Sequence, residues 1–288
     1  MRDVEIVYRY GGGGAEPRRR PGDPGEARQR LDEGSRAFAE MLANVGGEGA
    51  PVRRVVDVDP RDLGLGSEGA APAQRPYAAV LGCADARVPV ELVFNEGPND
   101  LFVVRVAGNA LGGDALGSLK YAVDHLGESL KLVVVLGHSG CGALSAAVDV
   151  FLDPARYLSI ASQHVTRALL DRLLVVVHSS ARRMAAVWGA DVVRRPGYRD
   201  ALVEASVASN AALAAHTLQQ ELGRGVHPMR AVYGVYVIGT HEVWAPRAGS
   251  ANLAGLADPP GHLDAFVDFG DAVMRSARVA ALLDHAPR

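Results

Sequence analysis

Three side chains capable of chemistry stand at alternate positions just after an apolar run. Ala79–Val80–Leu81–Gly82 reads as a buried strand, and Cys83, Asp85 and Arg87 follow it with Ala84 and Ala86 between. Alternate residues of an extended backbone share a face. A thiol, an acid and a permanent cation therefore point the same way, and a metal ion is the obvious means of offsetting the cost of placing them there. A second apolar run, Lys131–Leu136, ends in Gly137–His138–Ser139–Gly140–Cys141–Gly142. Thiolate and imidazole are donors that zinc prefers, and three protein donors with one open position mark a catalytic rather than a structural site. The chain has 2 cysteines, and both lie in these loops. Cys83, His138 and Cys141 are the candidate ligands of one zinc ion per chain, with Asp85 able to take the fourth position. A structural zinc closed by Asp85 is the rival reading, and two inert buried thiols are the bland one.

The elements that would position these loops follow from periodicity. Strands are expected at Ala78–Gly82, Asp100–Val106, Leu132–Leu136 and Ala231–Ile238, the last with Glu242–Trp244 as a hairpin partner. Helices are expected at Pro89–Asn95, from a cap at Asp114 to about Leu126, over Ala143–Val150, throughout Ser159–Val187, over Asp200–Leu222 and over Leu263–Leu283. Alternating strands and helices predict an α/β fold with a mainly parallel central sheet flanked by helices. Ligands at the carboxyl ends of such strands are where α/β proteins build their sites. Residues 1–70 read as an N-terminal extension. In it Val4–Tyr8 is a short strand or arm, Gly11–Gly25 a flexible linker, and Glu26–Asn44 an amphipathic helix that packs on the main domain or on a partner chain. Gly46–Gln74 is loop-like, with Val52, Val55, Val56 and Val58 its one strand signal. Residues 71–250 form the zinc-binding domain, and 251–288 a helical tail packed on it.

Composition excludes several functions. The 288 residues carry a net charge of −3 and are 48% hydrophobic, so neither nucleic acid nor an anionic membrane is an expected partner. Arg18–Arg19–Arg20 is a short basic run expected to be solvated. Residues 1–5 lack the apolar core of a signal peptide, no stretch has the length of a membrane span, and 2 cysteines rule out a disulfide framework. The expected location is cytoplasmic, where both thiols stay reduced.

Cys-x-Asp-x-Arg followed by His-x-x-Cys, each at a strand end, resembles the beta-class carbonic anhydrases. Gln74–Arg75–Pro76, Leu101–Phe102–Val103–Val104–Arg105, Leu119–Lys120–Tyr121–Ala122–Val123, the helix with Val207 and Asn210, and Tyr233–Gly234–Val235–Tyr236 extend the likeness over about residues 70–245. Ala84 and Ala86 stand where that family commonly has serines, and Val106 where it has Asn. Val80 replaces the Trp that accompanies a non-catalytic bicarbonate site, so no such lock is expected.

The resemblance implies reversible hydration of carbon dioxide to bicarbonate and a proton, by zinc-bound hydroxide. Asp85 held by Arg87 would orient that hydroxide, while Asp85 released from Arg87 would close the site. Gln74 is a candidate for polarising a substrate oxygen, and the resemblance adds the backbone N–H of Gly142. His125, His164, His178 and buffer are equal candidates for carrying the proton away. His216, Trp188 and Trp244 read as packing or surface residues. The family builds its site at a dimer interface, which implies a homodimer or higher homo-oligomer with the Glu26–Asn44 helix embracing the partner. Two other functions fit the same ligands: a catalytically silent zinc-binding scaffold or regulator, and a hydrolase of another small linear molecule such as carbon disulfide. A redox role is disfavoured, because Cys83 and Cys141 do not form a Cys-x-x-Cys pair.

Overall fold

The computed structural model describes residues 2–11, 18–65, 69–160, 162–224, 226–250 and 253–285. In chain order the elements are β1 (Val4–Tyr10), α1 (Pro24–Ala43), β2 (Val52–Val58), β3 (Ala78–Gly82), α2 (Val90–Phe94), β4 (Leu101–Arg105), α3 (Gly113–Leu126), β5 (Leu132–His138), α4 (Gly142–Leu152), α5 (Ala155–Ile160), α6 (His164–Trp188), α7 (Tyr198–Leu222), β6 (Arg230–Tyr236), β7 (Val243–Trp244), α8 (Ala265–Arg275) and α9 (Ala277–Leu283).

The central sheet has the order β4-β3-β5-β6-β7, parallel except for the short hairpin strand β7. Both faces are covered, which is why β3 and β5 are apolar without interruption rather than alternating. Leu81, Val133 and Val135 join the core under α3, α4, α6 and α7. Val80, Leu132, Val134 and Leu136 face the other way, onto α1 and α2. The register pairs Gly82 with Leu136, so the loops after β3 and β5 leave the sheet side by side.

The N-terminal helix packs on its own chain. Ala27, Leu31, Phe38 and Met41 form the buried stripe of α1 and meet Tyr77, Val90 and Phe94. Asp23 caps the helix by accepting from the Glu26 N–H at 2.9 Å, and Pro24 supplies the fixed φ of the first turn. On either side of α1, β1 and β2 pair in parallel as a second, two-stranded sheet. The fully buried Glu96 ties this unit down. Its carboxylate accepts from Arg30 Nε at 2.9 Å and from Arg18 Nη1 at 3.4 Å.

Several details depart from the sequence expectations. Of the basic run, only Arg19 is solvated; Arg18 is held at Glu96, and Arg20 donates to both oxygens of Asp62 at 3.0 Å. A buried acid needs a cation, and that need recruits Arg18. The expected linker Gly11–Gly25 is anchored from residue 18 onward, and its residues 12–17 lie outside the described residues. The helix expected over Ser159–Val187 is two helices, α5 and α6, the second preceded by a break at residues 162–163, where Gln163 has ψ of 75°. Asp114 does not cap α3; it lies in the first turn, and Gly112 is the capping residue. The tail is also two helices. Ser276 ends α8 and caps α9 by accepting from the Val279 N–H at 3.3 Å. Trp188 packs as expected and donates its indole N–H to the Met274 carbonyl at 3.0 Å.

Gly34 sets how closely α1 approaches the domain. A Cβ there would fall 1.9 Å from the Phe94 carbonyl oxygen, inside any contact distance. Helix propensity alone favours alanine over glycine by about 1 kcal/mol, but overpacking costs about 1–3 kcal/mol and a backbone oxygen yields little. Gly34→Ala is therefore expected to lower stability by about 1–2 kcal/mol in urea unfolding. A more stable variant would show that α1 does not seat against Phe94.

Candidate metal centre

The two loops converge as their spacing requires. One donor atom from each of Cys83, His138 and Cys141 lies within 4.8 Å of the other two, and all three residues are buried. The donor set fits a soft divalent ion, and the imidazole shows how. His138 Nδ1 lies 3.1 Å from the Ser139 carbonyl, which can only accept, so Nδ1 carries the hydrogen. That leaves the lone pair on Nε2, which is buried and has no hydrogen-bond partner. An orphaned imidazole nitrogen beside two thiols is what a metal would satisfy.

The thiols are not equivalent. Hydrogen bonding from Cys141 draws the Cys83 thiol far below its ordinary pKa, helped by the backbone N–H groups of Asp85 and Gly108. Cys141 is pushed up in turn, first by its bond to the Cys83 thiolate and then by burial. Metal would bind both sulfurs as thiolates, releasing whatever protons they carry. Burial pulls the His138 pKa down, but the Cys83 thiolate and Asp85 outweigh it and the net shift is upward.

Asp85 is engaged by Arg87 instead of closing the site. The guanidinium forks onto the carboxylate, Nε to Oδ1 at 3.0 Å and Nη2 to Oδ2 at 2.7 Å, and the Arg87 N–H adds a bond to Oδ1 at 2.9 Å. This grip holds the Asp85 carboxyl well below the usual carboxylate range. Asp85 Oδ2 is nevertheless 3.8 Å from His138 Nε2, at the edge of the cluster.

Neighbouring elements fix both loops. Arg105, at the end of β4, donates to the Cys83 carbonyl at 2.9 Å and to the Asp85 carbonyl at 2.5 Å. The Gly108 N–H donates to Cys83 Sγ at 3.2 Å, and the Gly108 carbonyl accepts from Asn210 Nδ2 at 2.9 Å. Gly108 has φ of +63°, and a Cβ there would press on Ala143 and Leu173 at 3.1 Å, so both conformation and space select glycine. The second loop is held by Ser139, whose N–H reaches Tyr236 O at 2.9 Å and whose hydroxyl accepts from the Ile238 N–H at 3.0 Å.

The remaining predicted residues fall in different places. Gly142 begins α4, with its N–H in the unpaired first turn beside Cys141. Gln74 is exposed and precedes β3, at the opposite end of the strand from Cys83, so the chain does not bring it to its own cluster. His125, His164 and His178 are not part of the cluster. Sequence reasoning assigned no role to Arg105, Gly108 or Asn210. The available signal was an asparagine amid the alanines at the middle of α7.

Comparison with known proteins agrees with the geometry. The family model described as carbonic anhydrase matches residues 78–236, more than half of the chain. This chain belongs to the beta-class carbonic anhydrase family. It is 42% identical over 105 residues to carbonic anhydrase 2 of Mycobacterium tuberculosis, covering 35% of this chain and 50% of that protein. It is 44% identical over 101 residues to a carbonic anhydrase of Mycolicibacterium smegmatis, covering 34% of this chain and 48% of that one. The chain thus spans about half the length of the curated relatives it matches. Among solved structures, a Coccomyxa beta-carbonic anhydrase in complex with acetazolamide aligns at a TM-score of 0.47 and 23% identity, over 73% of this chain and 82% of the other. Beta-class carbonic anhydrases are zinc enzymes, and the cluster of Cys83, His138 and Cys141 fits that ion.

Asn210 acts on the cluster only through Gly108. Replacing it with alanine leaves a buried carbonyl unpaired and loosens the N–H that supports Cys83. Asn210→Ala is expected to weaken zinc affinity about 10–100-fold in competition against a chromophoric chelator. Unchanged affinity would show that the Gly108 turn holds without the amide.

Proposed function

We propose that this carbonic anhydrase family member catalyses the reversible hydration of carbon dioxide, with Cys83, His138 and Cys141 holding one zinc ion and Asp85 and Arg87 acting beside it. The observation that carries this reading is the bidentate Arg87–Asp85 pair. It keeps the carboxylate off the metal position, so three donors remain and one coordination position stays open. A closed structural site has no use for such a restraint.

Zinc in this setting supplies a Lewis acid that makes water a nucleophile near neutral pH, lowering its pKa from about 15.7 to about 7. The chain's own residues do the rest. Asp85, ionised and fixed by three bonds from Arg87, accepts a hydrogen bond from the reacting water and sets the direction of its lone pair. Arg87 cannot lose its charge, so the restraint does not titrate away. The Gly142 N–H, at the positive end of α4, faces the charge that develops on a carbon dioxide oxygen. A cavity of about 730 Å³ lined by Arg87, Ser139, Gly140 and residues of α7 and α9 lies beside the dyad.

Gln74 would serve the site of a second copy, which suits the homodimeric or larger assembly that the family resemblance implies. Residues 71–250 form the catalytic unit in this reading. No described helix is long and apolar enough to cross a membrane. We place the protein in the cytoplasm, a location supported by its two free thiols.

The test is stopped-flow carbon dioxide hydration on reduced protein of known zinc content. The parent should hold one zinc per chain, and stripping it with a chelator should abolish turnover until zinc is restored. Asp85→Asn should retain zinc and lose about 10²-fold or more in kcat. Full zinc without turnover in the parent would overturn the proposal.

A further inference from the structure

β1 is the exposed strand of the N-terminal sheet. It pairs with β2 along one edge, from Val4↔Val52 to Tyr10↔Val58, and no described strand meets its other edge. Val56 and Val58 of β2 are buried, whereas Val4, Glu5, Arg9 and Tyr10 of β1 are exposed. Two strands alone make a marginal sheet, and proteins commonly blunt an open edge with charged side chains, lysine above all, with proline or with a bulge; here the charges, Glu5 and Arg9, are of opposite sign. The strand Val-Glu-Ile-Val-Tyr-Arg-Tyr has neither lysine nor proline, and its register with β2 is unbroken.

The side chains on the outer face carry a pattern. Ile6 packs inward on the core, and the Tyr8 hydroxyl donates to the Glu96 carbonyl at 3.3 Å. Alternation therefore leaves Glu5, Val7 and Arg9 outward. They stand in rows with Arg53, Val55 and Asp57 of β2, with Glu5–Arg53 at 3.5 Å and Arg9–Asp57 at 3.4 Å. Opposite charges thus flank Val7 at equal distances along the strand.

We propose that the free edge of β1 pairs antiparallel with β1 of a second copy of this chain, about a two-fold axis at Val7. Glu5 then lies opposite the partner subunit's Arg9, twice by symmetry. Each outer row of the four-stranded sheet reads Arg53, Glu5, the partner's Arg9, the partner's Asp57, with the sign alternating at every step. The central row is four valines. Other registers are penalised. Sliding by two residues either way sets Glu5 or Arg9 against the partner's Val7 and leaves the charges unmatched, sliding by four sets Glu5 against the partner's Glu5 or Arg9 against the partner's Arg9, and a one-residue slip reverses the faces. The interface is separate from the metal centre, so it stands or falls independently of the proposed reaction.

Disulfide trapping in the full chain tests the register. Val7→Cys should cross-link to itself under mild oxidation. Glu5→Cys alone should not, but an equimolar mixture of Glu5→Cys and Arg9→Cys chains should. The parent, with both native cysteines buried, is the control. Light scattering provides a second measurement that needs no oxidation. Glu5→Arg should weaken association about tenfold or more and halve the particle mass at low concentration. Glu5→Arg/Arg9→Glu should restore it, although that variant sets like charges against Arg53 and Asp57 within each chain. A monomeric parent, a Val7→Cys chain that cross-links no faster than Glu5→Cys, or a double variant no better associated than the single one would overturn the proposal.

Discussion

Everything in the centre depends on bringing two cysteines from distant parts of the chain to one point without letting the acid between them and solvent take the place of a ligand. Parallel pairing of β3 with β5 accomplishes the first requirement. Sheet register is set over whole strands whose two faces are both buried, so the loops after them start from fixed positions. The fork of Arg87 on Asp85 accomplishes the second. The cluster is therefore assembled by the sheet, and the acid beside it is bound by one ion pair.

Other parts of the chain are subordinate to that arrangement. The helices α3, α4, α6 and α7 bury one face of the sheet and deliver Asn210 and the first turn of α4 to the loops. The other face is covered by α1, which is anchored through Arg30 to a carboxylate with no exposure at all. Removing one partner of such a pair leaves an uncompensated buried charge, typically a loss of about 3–5 kcal/mol. The N-terminal unit is thus bound to the domain by electrostatics as well as by its apolar stripe.

The parts legible in the sequence were those written in local pattern. Apolar runs ending in glycine located β3 and β5, and donor types within four residues of those glycines located Cys83, His138 and Cys141. The Asp85–Arg87 pair was legible from the two residue types, but the expected extended backbone is a turn, with the Val88 N–H on the Asp85 carbonyl at 3.1 Å and the Arg87 N–H on Asp85 Oδ1 at 2.9 Å. What escaped were interactions whose partner is backbone. Arg105 grips two carbonyls, and Gly108 offers an N–H to sulfur; neither leaves a complementary residue elsewhere to betray it. The role of Arg18 was hidden for a different reason: its partner Glu96 is far along the chain, and only the fold shows that this acid is buried. The break between α5 and α6 left no proline or glycine to mark it, so periodicity ran straight across.

The grip of Arg105 has a consequence for how this loop can change over generations. Its guanidinium recognises the peptide carbonyls of Cys83 and Asp85, and those groups are the same whatever side chains stand nearby. The clamp is indifferent to the residues at positions 84 and 86. Alanine stands at both, and the shape of the loop is held from the neighbouring strand. The loop's geometry is set through β4, by bonds to peptide groups that no side-chain substitution at positions 84 and 86 removes.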